Sequence, residues 1–125
     1  MRLLLDTHVV YWWFTGQREE FSGNLQELLT HSLEVFISPV TPWELLVKQS
    51  KGKLELPEGM IDDMCGDEFR ELPLRHRHTM TAGRLPGIHR DPFDRLLVAQ
   101  AQCDAMTLVT RDSIIPKYEV DVLPA

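Results

Sequence analysis

Asp91-Pro92-Phe93-Asp94-Arg95-Leu96-Leu97-Val98-Ala99-Gln100-Ala101-Gln102-Cys103 runs through Asp104-Ala105-Met106 directly into Thr107-Leu108-Val109. An aspartate at N-cap, a proline at the first helical position and an acid at N3 form a helix start. The cap accepts an unpaired N–H, the proline has none to lose, and the acid faces the positive end of the helix dipole. The body that follows is apolar nearly all round, which predicts a buried helix. A buried helix feeding a short apolar strand after three residues is a crossover unit of the kind that builds parallel sheets. The same alternation continues on both sides. Arg2–Leu5, Val35–Ile37, residues 70–74, Thr107–Val109 and Glu119–Leu123 read as strands. Helices are expected at Thr7–Thr15, 23–32, Thr41–Lys51, 58–65, 76–84 and from Asp91 to Cys103. Thr41-Pro42-Trp43-Glu44 repeats the opening pattern, with Thr41 as cap and Glu44 at N3. The expected fold is therefore α/β, a mostly parallel sheet of about five strands flanked by helices joined by right-handed crossovers.

At 125 residues there is room for one domain, read as 1–125, and 43% apolar residues can fill its core. The longest apolar run, Val9–Phe14, is far short of the roughly 18 residues a membrane span needs. Asp6 interrupts the leucines at the start before any secretory pattern develops, so a cytoplasmic location is expected, with no membrane contact. Cys65 and Cys103 have no paired spacing, which excludes a disulfide framework and a Cys-type zinc site. A formal charge of −6 argues against coating nucleic acid by bulk charge. That charge is uneven: residues 55–71 carry seven acids and one base, whereas residues 75–95 carry five arginines and two aspartates with three histidines interleaved. The first stretch reads as a solvated face. The second would suit phosphates.

In an open parallel sheet the strands end at one edge, where helices restart and ligands collect. Asp6 follows the first strand, Glu44 lies in the first turn after the second, Asp91 and Asp94 open the buried helix, and Asp112 follows the fourth strand. Each alone reads as a cap or a loop start. Together they would repel and raise one another's pKa unless a cation neutralised them. Carboxylates without paired His or Cys suit Mg²⁺ or Mn²⁺, hard ions that retain waters and take substrate phosphate oxygens. Hydrolysis of a phosphodiester by a metal-activated water follows, leaving a 5′-phosphate and a 3′-hydroxyl. Thr7 and Thr110, beside Asp6 and Asp112, are placed to orient a carboxylate or to satisfy backbone.

Leu4-Leu5-Asp6-Thr7-His8, Pro42-Trp43-Glu44-Leu45, His89 through Ala101 and Leu108-Val109-Thr110-Arg111-Asp112 resemble, in order and spacing, PIN-domain ribonucleases, and most of all the VapC-type toxins of bacterial toxin–antitoxin modules. The resemblance spans nearly the whole chain, with the third segment its most specific part. It implies a Mg²⁺- or Mn²⁺-dependent endoribonuclease acting on RNA, a homodimer, and a cognate antitoxin as partner. Carried over by position, Asp6, Glu44, Asp94 and Asp112 match the acidic cluster in catalytic and metal-binding roles. Asp91 stands three residues before Asp94 and is the alternative ligand; Asp94 matches the acid that precedes the apolar helix. The Asp104-Ala105-Met106 turn lacks the glycine often found there, which is expected to shift Asp112.

Arg95, with His89 and Arg90 before it, is placed to meet a substrate phosphate or the antitoxin backbone. The first helix is apolar on more than one face, and Trp12 or Trp13 is expected to line a groove for a partner helix. A haloacid-dehalogenase-type phosphatase needs an acid where His8 stands. A receiver-like domain wants a lysine nearer the last motif than Lys117. A catalytically silent PIN-like binding module is the remaining alternative, opposed by the intact acidic set.

Overall fold

The structure is a computed structural model describing residues 1–32 and 34–125. Leu3–Leu5 form β1, fully buried on both sides as expected of a central parallel strand. Alternation along the strand divides its side chains between two layers. Leu3 and Leu5 pack with α1 (Thr7–Phe14), α2 (Leu25–His31) and α4 (Met60–Met64), whereas Leu4 packs with α6 (Pro92–Cys103). β2 (Val35–Ile37), β3 (Arg70–Glu71), β4 (Thr107–Thr110) and β5 (Val122–Pro124) complete the sheet in the order β3-β2-β1-β4-β5, with every pairing parallel. α3 (Val40–Ser50) follows β2, and α5 (His76–Arg84) packs against α6. The five-stranded α/β architecture agrees with the sequence reading.

The opening of α6 forms as its residues dictate. Asp91 Oδ1 accepts the N–H groups of Phe93 at 2.8 Å and Asp94 at 3.4 Å, with Pro92 at the first position. The matching expectation for α3 fails. That helix begins one residue early, at Val40 after Pro39, so Thr41 is a fully buried first-turn residue that does not cap, and the Ser38 hydroxyl accepts the Val40 N–H at 3.1 Å instead. Its hydroxyl instead lies 3.4 Å from that of Thr7. β5 starts later than expected because the chain bends at residues 118–120 after the 3₁₀ turn Ile115–Lys117, with the Val120 N–H donating to the Tyr118 carbonyl at 2.9 Å. Ala105 takes the left-handed conformation itself, φ +53, and supplies the backbone turn a glycine would provide. β4 pairs in full register with β1 at Leu3↔Thr107, Leu4↔Leu108 and Leu5↔Val109, so the missing glycine does not displace the strand that leads to Asp112.

Candidate functional site

Four chain segments deliver acids to the carboxyl edge of the sheet. Asp6 leaves β1 as the N-cap residue of α1, yet its side chain accepts nothing from that helix. It turns inward, 3% exposed. Oδ2 accepts the Thr110 hydroxyl at 2.6 Å, and Oδ1 is buried with no hydrogen-bond partner among the described residues. Burial pushes its carboxyl above the ordinary value, against the pull of the Thr110 hydrogen bond. Thr110 also accepts the N–H of Asp112 at 3.0 Å, tying the acid of β1 to the acid after β4 through one hydroxyl.

Glu44, 2% exposed, is held at both oxygens: Thr7 donates its hydroxyl to Oε1 at 2.7 Å and the Lys48 ammonium stands 2.7 Å from Oε2. Burial would lower the Lys48 pKa, but the Glu44 carboxylate holds it above its ordinary value, with Asp91 and Asp94 contributing at longer range. Asp94, in the first turn of α6, is pushed up to about 8 by burial first and then by the charges of Asp6, Asp91, Glu44 and Asp112. That list of repelling neighbours is the acidic set expected from the sequence. Burial also raises Asp112, but the N–H groups of Ile114 and Ile115 and the His89 ring outweigh it and hold the carboxyl below its ordinary value.

His89 completes the constellation, and sequence reasoning did not assign it there. Its Nδ1 accepts the Asp91 N–H at 3.2 Å, which leaves the ring proton on Nε2. Nε2 lies 3.0 Å from Asp94 Oδ2 and 3.1 Å from Asp112 Oδ2. Ligand atoms of His89, Asp94 and Asp112 all fall within 4.8 Å of one another. Lys48 was equally unassigned; its signal was the four-residue spacing from Glu44.

The other expected residues divide. Asp91 is a helix cap that adds charge near Asp94 but spends Oδ1 on backbone. Arg95, expected to meet a substrate phosphate or the antitoxin, is committed to backbone carbonyls. Its Nη2 donates to the carbonyls of Ala82 at 2.7 Å and Leu85 at 3.1 Å, and Nη1 to Pro86 at 2.9 Å, so it satisfies the end of α5. Trp13 is no groove residue either: it is 3% exposed, stacked on Phe21, and donates Nε1–H to Glu68 at 2.9 Å. Trp12 is half-buried, with the Arg111 guanidinium 4.6 Å from its ring centroid.

The donor set fits a hard divalent cation. It consists mainly of carboxylate oxygens, one of them buried and unpaired, gathered against their mutual repulsion. Asp94, Asp112 and His89 bring ligand atoms close enough together to hold one, while Asp6 and Glu44, the other acids expected from the sequence, stand near enough to add charge at Asp94.

The family described as PIN domain matches residues 3–120. Ribonuclease VapC22 of Mycobacterium tuberculosis is 29% identical over 113 residues, spanning 88% of this chain and 86% of that protein. VapBC2 from Rickettsia felis, solved bound to a DNA fragment from its promoter, superimposes with a TM-score of 0.75 at 19% identity, covering 99% of this chain and 98% of that one. DNA-bound VapBC from Salmonella typhimurium gives 0.73 at 15% identity over 99% and 98%.

Proposed function

The chain belongs to the PIN domain family and is related to the VapC ribonuclease toxins, and on that footing we propose that it is a metal-dependent endoribonuclease, the toxin of a toxin–antitoxin pair. The observation that supports this best is the gathering of acids around Asp94, whose carboxyl is pushed up to about 8 by burial and by the charges of Asp6, Asp91, Glu44 and Asp112. A protein without catalytic use for such a cluster would gain stability by losing it. Bound Mg²⁺ or Mn²⁺ would supply an acidified water and offset negative charge on the reacting phosphate.

The chain's own side chains do the positioning. Thr110 fixes the Asp6 carboxylate through Oδ2 and leaves Oδ1 facing inward. Thr7 and Lys48 fix both oxygens of Glu44. The Ile114 and Ile115 N–H groups hold Asp112 Oδ1, directing Oδ2 toward Asp94 through His89. Preorganised carboxylates of this kind cost no rearrangement when the transition state forms. A hydrolytic route needs no attack by the RNA 2′-hydroxyl.

The related structures include toxin–antitoxin complexes, which supports a cognate antitoxin as partner of this chain. A homodimer, a single nuclease domain over 1–125 and work in the cytoplasm belong to the same proposal. The test is cleavage of single-stranded RNA with Mg²⁺ or Mn²⁺, with and without EDTA. Chelation should abolish cutting, as should Asp6→Asn and Asp94→Asn in variants whose circular dichroism matches the parent. If both variants cut like the parent, the nuclease reading is wrong. A 2′,3′-cyclic phosphate end would exclude the hydrolytic mechanism.

A further inference from the structure

Beside Glu44 an open cleft of about 350 Å³ lies between α1 and α3, with Thr7, Tyr11, Trp12, Lys48 and Lys53 among its walls. Two of these residues also belong to the acid site. Thr7 donates to Glu44 Oε1 and Lys48 pairs with Oε2, so the cleft shares two of its walls with the acid site. The Lys48 ammonium has three donors, and Glu44 accounts for one contact. Lys53 is exposed on the same cleft. A cluster of acids repels an incoming polyanion, so a strand whose phosphate reaches that cluster needs cations along its path. A track of lysines beside an aromatic face is how single strands are held without sequence reading.

We infer that this cleft carries the single-stranded RNA flanking the scissile bond, with Lys48 and Lys53 meeting backbone phosphates and Trp12, whose ring also carries the Arg111 guanidinium, stacking a base on its cleft side. The inference rests on the ribonuclease reading above. Leu45 and Leu54 also line the cleft, which makes a partner protein's helix the rival occupant, but the exposed Lys53 and the second lysine, Lys48, beside Glu44 favour a polyanion over an apolar helix face.

The experiment measures binding of a fluorescein-labelled, mixed-sequence single-stranded RNA by anisotropy across a salt series, with Ca²⁺ replacing Mg²⁺ to keep the strand uncut. Cleavage kinetics in Mg²⁺ are measured in parallel. Lys53→Ala should raise KM, leave kcat unchanged and reduce the salt slope by about 0.7, one phosphate contact on a single strand. Lys48→Gln should lower the slope likewise. Trp12→Ala should weaken binding by at least about fivefold with no change in slope, as expected for lost stacking. If the parent cuts RNA but all three variants bind it with parental affinity and slope, the inference fails and the nuclease reading stands. If the variants keep RNA binding and lose a co-expressed antitoxin, the cleft belongs to the partner and the inference is overturned. A parent that cuts no RNA removes both.

Discussion

Asp94 is a first-turn helix acid of a kind that ordinarily stabilises, yet here burial and four neighbouring carboxylates push its pKa up to about 8. Its replacement by an uncharged isostere therefore has an unusual sign. In EDTA at neutral pH, Asp94→Asn should melt at a higher temperature than the parent, because a carboxyl whose folded pKa is about 8 must take up a proton on folding, a cost the amide does not carry. A lower melting temperature would mean that the carboxylate is structurally favourable and that mutual repulsion is not what the cluster contains. Ala105 offers an independent case. Its φ of +53 costs an L-residue about 1–2 kcal/mol, partly offset by the greater unfolded-chain entropy of glycine. Ala105→Gly, at an exposed position, should raise stability by roughly 0.5–1 kcal/mol in urea titration. The acids at this scale were legible because each follows a strand or opens a helix. His89 was not, since its ring is placed by a loop held through its N–H to the Tyr118 hydroxyl at 2.7 Å, a contact 29 residues away. Nothing in the spacing of His89 to Asp112 announces that bridge.

α6 shows how an element's local grammar and its chemistry separate. Asp91 and Asp94 look alike as acids at a helix start, but only Asp91 caps. Asp91→Ala should cost about 1 kcal/mol of stability, the usual worth of an N-cap, while stabilisation by added Mg²⁺ persists. Asp94→Asn should show the reverse pattern, and matching behaviour of the two variants would overturn the assignment. The far end of the same helix has its own electrostatic tie. Burial alone would raise the Asp104 carboxyl, but Arg77 at 2.6 Å and the fully buried His78 ring at 2.9 Å hold it below its ordinary value. A carboxyl whose folded pKa is depressed contributes stability that is present above its unfolded value and lost as pH falls through the folded one. Parent stability should therefore decline on acidification below about pH 4 more steeply than that of Asp104→Asn, read from urea midpoints. Equal slopes would remove this tie from the account. Strands and helices were readable because buried parallel strands are short apolar runs and helix starts carry caps. The α3 start was misread because Thr41 in Thr-Pro-x-Glu fits the capping pattern, whereas the folded chain buries its hydroxyl beside Thr7.

At the scale of the whole molecule, the parallel sheet accounts for the site. All pairings run in one direction, so the ends of β1, β2 and β4 and the start of α6 meet at one edge, and residues as distant in sequence as Asp6 and Thr110 become hydrogen-bonded. The fold class was therefore enough to bring the acids together, while the cleft beside them depends on how α1 and α3 pack, which no pattern in either helix specifies. Gathering carboxylates in a chain of net charge −6 opposes folding, and a cation that binds only the folded arrangement should reverse that cost. Linkage fixes the size of the effect. Free Mg²⁺ at a hundred times its dissociation constant should add about 2.7 kcal/mol to stability, increasing with the logarithm of concentration beyond saturation. An ion held by side chains at one edge of the sheet adds little to the surface exposed on unfolding. The urea midpoint should therefore move while the slope m stays constant. The same titration with Asp6→Asn should give a much smaller shift, since the amide replaces a buried charged oxygen that has no other partner. A parent midpoint insensitive to Mg²⁺ and Mn²⁺ alike would mean that the carboxylates do not form a cation site. The repulsion at Asp94 would then be left without any physical compensation.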